Sequence, residues 1–569
     1  MGTTQTKSQI PTEKIFKLSL WQPFNTPLHR AGLAGLYMSL QHLESLKGEV
    51  IDWDLSSDSI TISWSCTDKQ ALNWLLNHTY QLSGSNDSFQ GMIVIPCLGS
   101  ISTDTKITIH NGILNSFLQH PSSVGGDGIK SQVLHFDENQ VPLEVKYKAI
   151  KRYNHQDLKP FAKKGLYDKQ ENFLPYIRIA QWLYPGATEK HVAVGGGKTR
   201  WQETPEGLIS LLFAPIACNY YKVRSRLKAN KHRWCLIIPH IHNLHEFANI
   251  RLTDGFQVVS YEEYFASGLS DASLAYLLML AGEDTARLQK TISCDVWAFG
   301  DVPWSQQQSI TKHQAVSLDS EKTKKMYKIC AQYLAKGIKV GKNGAYINVS
   351  FGREIAAENL VLGKPWYSGF HDILKFKSEI FGELFYERKS LQSMKEAMIS
   401  QQLTSEMATL FGDAFTWQYY EQRSNLQRNT SSGKPNYDKL KTDLLMSIRN
   451  CRYCNDFVRL QISVFSRPTS AQNPFIEGIE LGDFYLWAKS NWQDCLALMT
   501  LAIVSYKKPW LNPRTAEILV SIGRKKPKYV IEQEKENLNL SESEDIDDSD
   551  EDDYEEIDQD SLEESLLED

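Results

Sequence analysis

Apolar residues first alternate with polar ones in KIFKLSLWQPF, which predicts a strand. A Pro-containing turn spans Asn25 to His29, and RAGLAGLYMSLQHLESL then places Leu33, Leu36, Tyr37, Leu40 and Leu43 at helical spacing. Further strands are predicted at TISWS (Thr61 to Ser65), GMIVIPCL (Gly91 to Leu98), RWCLIIPHI (Arg233 to Ile241) and DVWAFGD (Asp295 to Asp301), separated by helical segments and Gly/Ser/Pro loops. Beyond about Pro365 the period changes to long helical runs, His371 to Met398, Asp438 to Phe465 and Leu481 to Tyr506. In the last, Phe484, Ala488, Trp492, Leu496, Met499 and Ile503 share one face. The expected fold is therefore α+β and multidomain. An α+β body covers 1–365, a helical bundle 366–531, and a disordered acidic tail 532–569.

The 569 residues, 41% hydrophobic and 11% aromatic, have the composition of a packed chain. The longest apolar runs, from Leu274 and from Leu496, are about half the length that spans a bilayer, so no membrane partner is expected. Nine scattered cysteines and an N-terminus without a signal-peptide pattern suit a reducing cytoplasm. Charge changes the picture more. The formal net charge is −6, but the tail from Glu532 onward holds 20 acidic residues against Lys535 alone, which leaves the rest of the chain at +13. A basic body of this size is the electrostatic footprint of a polyphosphate partner.

Enzymatic candidates are weak one by one. His191 to Thr199 (HVAVGGGKT) ends like a phosphate loop, but Val192 stands where the first glycine belongs. A loop ending in Lys198 and Arg200 can still approach a phosphate or a base edge. His240, His242 and His245 with Glu246 suggest a metal site, against the plainer reading of a hydrogen-bonded cluster at a strand end. Cys451 and Cys454 have zinc-like spacing without a second pair and are expected within a helix. His371-Asp372 matches a metal-hydrolase dipeptide too short to carry information. No catalytic residue, metal or cofactor is assigned.

Four basic runs remain. Tyr221 to Arg233 carries Lys222, Arg224, Arg226, Lys228, Lys231 and Arg233 with no acid. Glu321 to Gly344 adds seven lysines against one acid, including Lys324 and Lys325. Lys151 to Lys164 opens with Lys151 and Arg152, and Tyr153 and Phe161 are stacking candidates there. The last run, Arg524 to Lys528, includes Lys525 and Lys526. Each alone is more often a solvated face, but together they favour nucleic acid.

The stretches LSLWQPFNTPLHRAGLAGLYMSL (Leu18 to Leu40) and GLISLLFAPIACNYYKVRSR (Gly207 to Arg226), with a separate helical C-terminal part, resemble the large subunit of type I CRISPR effector complexes, most nearly the MYXAN or I-B kind. The resemblance runs from about Lys14 to Pro509. It implies a non-catalytic subunit of Cascade, the RNA-guided surveillance complex. The α+β part would sit at the 5′ end of the CRISPR RNA (crRNA), read the short protospacer-adjacent motif (PAM) in duplex DNA and start R-loop formation. The helical part would hold the displaced strand. Implied partners are crRNA, double-stranded target DNA, and the backbone, handle-binding and small subunits. A helicase-nuclease or transposition proteins are alternatives for what is recruited next. PAM-reading loops are expected at Gly195 to Arg200, at Gly125 to Lys130, or at Gln306, Gln307 and Gln308, where a glutamine run could wedge between strands. Met394, Met398 and Met407 stand where an internal start would release the bundle as a small subunit. Two other classes stay open at this point, a metal-dependent nuclease built on the histidines and a general nucleic-acid-binding scaffold.

Overall fold

The computed structural model describes residues 13–84, 90–118, 125–136, 141–151, 166–178, 185, 202–224, 232–282, 292–301, 308–341, 344–375, 384–429, 435–469, 473–476, 481–506 and 513–521. The acidic tail lies outside them. Two compact units form: one takes in residues up to Glu321 together with Lys336–Val349, the other Lys322–Ala335 and everything from Ser350. The first is α+β and the second helical. No helix among the described residues is long and apolar enough to cross a membrane.

In the first unit, β1 (Lys14–Ser19), β2 (Asp52–Leu55) and β3 (Ser59–Trp64) make an antiparallel sheet with β3 in the middle. The alternation in β3 buries Ile60, Ile62 and Trp64. Between β1 and β2 runs α1 (Pro27–His42). Pro27 occupies its first turn, and the His29 ring nitrogen Nδ1 accepts from the Thr26 N–H at 3.3 Å and from its hydroxyl at 2.8 Å. After β3 come α2 (Asp68–Thr79), the short β4 (Gln81–Leu82) and β5 (Ile93–Val94), and α3 (Thr103–Ser116). GMIVIPCL is thus a strand for only two residues, because Pro96 turns the chain into a 3-10 turn, Pro96–Leu98.

A long hairpin, β6 (Gly126–Phe136) and β7 (Val141–Ile150), follows, then the two-residue strands β8 (Ile177–Arg178) and β9 (Gln202–Glu203). Gly126 to Lys130, expected in a loop, form the first rungs of β6. His110 on α3 docks this hairpin. Its Nδ1 accepts from the Ile93 N–H at 3.1 Å, so Nε2 carries the proton and donates to the Lys148 carbonyl at 2.8 Å. Burial lowers its pKa to about 4, because a charged imidazole would lose both its water and the Ile93 bond.

The chain then forms α4 (Pro205–Ala217), capped by the Thr204 hydroxyl. Here α1 and α4 cross with no side chain between them. A Cβ on Gly32 would lie 1.8 Å from the Ser210 carbonyl oxygen, and one on Gly35 2.1 Å from that of Phe213. The two stretches that carry the sequence resemblance include the two sides of this crossing.

From α4 the chain enters the main sheet. Its strands are β10 (Asn219–Arg224), β11 (His232–Pro239), β12 (Phe265–Ala266), β13 (Ile292–Asp301) and β14 (Gln308–Leu318), in the order β12-β10-β11-β13-β14. All neighbours are antiparallel except β10 and β12. Helices cover both faces, which is why Cys235 to Ile238 are all buried. On one face Gly112 of α3 lies directly against the Tyr220 ring. On the other lies α6 (Leu269–Ala281), which follows α5 (Leu244–Arg251) and whose Ser273 bonds Cys294. The hairpin β15 (Gly337–Gly341) and β16 (Gly344–Asn348) completes the unit, with Ile347 in the same apolar cluster as Leu143, Tyr147, Tyr261 and Phe265.

In the helical unit, α7 (Glu321–Tyr333, which enters this unit at Lys322) and α8 (Phe351–Val361) share a contact in which Arg353 donates to the Tyr327 hydroxyl at 2.9 Å. Glu387 closes the start of α8: its carboxylate accepts from the Ser350 hydroxyl and the N–H groups of Phe351 and Gly352 at 2.7–2.9 Å. Then come α9 (Arg388–Ser400), α10 (Glu406–Asn429), α11 (Tyr437–Asn450), α12 (Cys454–Phe465), α13 (Leu481–Ser490), α14 (Trp492–Val504) and α15 (Pro513–Ser521). Two of the expected long helices are broken. Residues 438–465 part at Cys451 to Tyr453, where Asp456 accepts the N–H groups of Arg452 and Tyr453. Residues 481–506 part at Asn491, with Phe484 and Leu496 still buried on either side. In the segment expected as a helix from His371, a 3-10 turn, Phe370–Lys375, precedes α9.

Gly35→Ala adds about 1 kcal/mol of helix propensity but forces a methyl into a backbone carbonyl. The clash wins, and a net loss of about 2 kcal/mol should appear as a lower urea midpoint. The folded pKa of His110 lies below its unfolded value of 6.5, so the unfolded chain binds the extra proton. Its contribution is complete above pH 6.5 and is lost as pH falls toward 4. Between pH 7 and pH 5 about 2 kcal/mol should disappear, and this part of the pH dependence should vanish in His110→Gln.

Candidate nucleic-acid interface

Two hairpins of the main sheet open at one end. β10 finishes at Arg224, which pairs with His232 at the start of β11, and β13 finishes at Asp301, which pairs with Gln308 at the start of β14. Because β11 and β13 are adjacent and antiparallel, His232 and Asp301 lie at the same end of the sheet. The intervening stretches, 225–231 and 302–307, hold Arg226, Lys228 and Lys231 in one case and Gln306 and Gln307 in the other. These five residues lie outside the described ones; the strand ends that flank the two stretches in sequence are neighbours in the sheet. Nothing in the sequence connects the two. Arg233, next to His232, is exposed.

Lys222 belongs to this run in sequence but is turned inward. Trp234 and Phe265 are its ladder partners on either side. Its ammonium lies 5.1 Å from the Trp234 ring, 5.3 Å from Tyr261 and 5.0 Å from Phe265, and donates to the Tyr261 hydroxyl at 2.8 Å. Enclosure pushes its pKa down to about 8, while the three ring faces favour the cation. The expectation of a nucleic-acid contact there meets a charge already held by the protein's own aromatics.

The other expected residues divide similarly. Lys130 bonds Gln90, and Lys151 pairs with Asp127 at 3.2 Å, both beside the long hairpin. On α7 Lys324 is buried, as are Tyr327 and Cys330, whereas Lys322, Lys325 and Lys328 are exposed at three-residue spacing and form a basic stripe. Lys198, Arg200, Arg152, Lys525 and Lys526 lie outside the described residues, as does the glycine run at 195–197.

The histidines do not converge. His240 bonds Ser293 at 2.8 Å and Asp295 at 3.1 Å, His242 lies against Trp21, and His245 meets Tyr37 at 3.2 Å and Asn249 at 3.1 Å. Burial, the Arg30 charge and His240 lower the pKa of His242. Cys451 and Cys454 turn to separate carbonyls, those of Ser447 and Lys489, and burial pushes the Cys451 thiol up to about 11. His371 is buried beside Asp372 at 3.6 Å. Among the described residues no three His, Cys, Asp or Glu side chains are grouped to hold a metal ion.

Comparison with known proteins agrees with a CRISPR connection. Residues 17–212 match the DevT N-terminal domain, a span that runs from β1 into α4 and includes Gly32, Gly35 and Ser210 of the glycine crossing. The chain is also similar to the CRISPR-associated protein Cas8a1/Csx13 of Myxococcus xanthus (strain DK1622). Identity is 25% over 417 residues, covering 66% of this chain and 69% of that protein.

If the hairpin ends meet phosphate while Lys222 does not, Arg233→Ala should lower the salt slope of nucleic-acid binding by about one unit and Lys222→Met should leave it unchanged. Binding constants measured across a range of salt concentrations decide this.

Proposed function

We propose that this chain is the non-catalytic large subunit of an RNA-guided CRISPR effector complex of the Cascade type. It reads the PAM in duplex DNA, contacts the 5′ end of crRNA and promotes R-loop formation in the cytoplasm. Its partners are crRNA, target DNA and the backbone, handle-binding and small subunits, and the complex then engages a helicase-nuclease or transposition proteins. Similarity to a CRISPR-associated protein supports the class. The observation that carries the specific role is the pair of hairpin ends at one end of the main sheet, flanking 225–231 and 302–307.

The chemistry of the two stretches is complementary. Arg226, Lys228 and Lys231 suit sequence-independent phosphate contacts that fix register, and Gln306 and Gln307 suit amide readout of a base edge. Base pairing by the guide then supplies sequence, leaving only a few base pairs to the protein. The exposed stripe of Lys322, Lys325 and Lys328 supports a backbone-tracking role for the helical unit along the displaced strand.

The test reconstitutes the chain with its neighbouring gene products and a guide RNA on targets with a randomised flank, and sequences what is retained. A short enriched flanking motif is expected. In Gln306→Ala with Gln307→Ala, preference for that motif should fall by about 1 to 3 kcal/mol with little change on other flanks. In the triple alanine variant of Arg226, Lys228 and Lys231, binding should weaken evenly on all flanks. Retention without any motif would leave a general nucleic-acid scaffold.

A further inference from the structure

The turn between β1 and α1 presents two aromatic rings to solvent. Phe24 is 98% exposed and Trp21 54% exposed. Phe24 also has φ +71°, a backbone conformation that bulky side chains avoid and that glycine or asparagine would adopt freely. The turn is fixed in place. Asn25 donates from its side chain to the Ser19 carbonyl at 2.7 Å, Gln22 to that of Lys17 at 2.9 Å, and the Asn25 N–H bonds the Gln22 carbonyl at 3.2 Å. A strained residue whose ring touches almost nothing in its own chain contributes nothing visible to the fold. Such strain points outward, to a ligand.

The surroundings identify that ligand's chemistry. The Arg30 guanidinium lies 5.2 Å from the Trp21 ring, and the His242 ring stacks on Trp21 at 5.8 Å. Among the described residues no carboxylate pairs with Arg30, and its Nε is buried without a hydrogen-bond partner. Lys17, Gln22 and Asn25 are polar neighbours in the same stretch of chain. Flat open rings beside an uncompensated cation are the elements of base stacking with a phosphate contact.

We propose that this turn is a stacking platform for single-stranded nucleic acid. Phe24 takes one unpaired base on its open face, Trp21 a second on its exposed surface, and Arg30, held against Trp21, attracts the phosphate between them. This rests on the nucleic-acid reading above but uses different residues from the hairpin ends. It also gives His242 a role unrelated to metal: its ring braces the Trp21 indole.

The test is fluorescence anisotropy of labelled 12-nucleotide single strands, one RNA and one DNA, with the full chain and its Trp21→Ala, Phe24→Ala and Phe24→Gly variants. Inorganic polyphosphate serves as a polyanion without bases. Each variant should weaken single-strand binding about tenfold and leave polyphosphate binding unchanged. The RNA and DNA arms show which sugar is preferred. Phe24→Gly should keep or raise the unfolding temperature while losing affinity, a combination that damage to the fold does not produce. Equal single-strand binding by wild type and variants, or equal loss on polyphosphate, overturns the platform while leaving the hairpin-end reading intact. Intact oligonucleotide binding with loss of a protein subunit from the reconstituted complex assigns the turn to a protein contact and overturns it too. Absence of single-strand binding by the wild-type chain overturns the platform, whereas the hairpin-end reading stands or falls on the reconstituted complex with duplex targets.

Discussion

The first unit depends on backbone meeting backbone. At Gly32 and Gly35 the α1 helix rests on the carbonyls of α4, and a methyl at either point would hold the helices apart. α4 leads through Cys218 into β10, so the crossing distance sets where the main sheet begins. A second close approach continues the chain of constraint, since Gly112 lets α3 settle on Tyr220 of β10. α3 then carries His110, whose neutral ring ties down the long hairpin. Each step fixes the next through contact too close for a side chain or through a bond that needs one tautomer. This is jigsaw packing in the strict sense, where small volume errors propagate through the dense interior.

Much of the fold was legible in the sequence, because its signals are local. Alternation in TISWS, continuous apolar character in RWCLIIPHI and the helical stripe of α1 each correspond to an observed element. Breaks were less legible. The interruption at Cys451 to Tyr453 follows from a carboxylate three residues onward that takes two backbone N–H groups, while the apolar period continues on both sides. Glu387 reaches the start of α8 from 36 residues away, beyond any local window. Pro96 was a visible warning against a full strand at GMIVIPCL.

Charged residues were read as one population and the structure sorts them into two. Lys222 is enclosed because ladder register places Trp234 and Phe265 beside it, and register cannot be read from one strand. Lys324 was readable in principle, since it falls three and six residues before the buried Tyr327 and Cys330. Lys336 is likewise engaged, with Glu263 at 2.9 Å. Among the described residues of these runs, Arg233, Lys339 and the stripe on α7 face solvent. The exposed rings at Trp21 and Phe24 fall in a segment whose apolar content predicts strand, but the strand ends at Ser19 and leaves both residues in the turn that follows.

The antiparallel order of the main sheet has an evolutionary consequence. Two hairpins that open at the same end of the sheet can each lengthen, shorten or change composition without moving a rung of either ladder, since loop closure costs rise only slowly with length. Relatives sharing this core could therefore diverge in what they recognise through two adjacent, independently variable inserts, while the glycine crossing of α1 and α4 stays closed to substitution. Variability and intolerance would then sit within one unit, separated by the length of a strand.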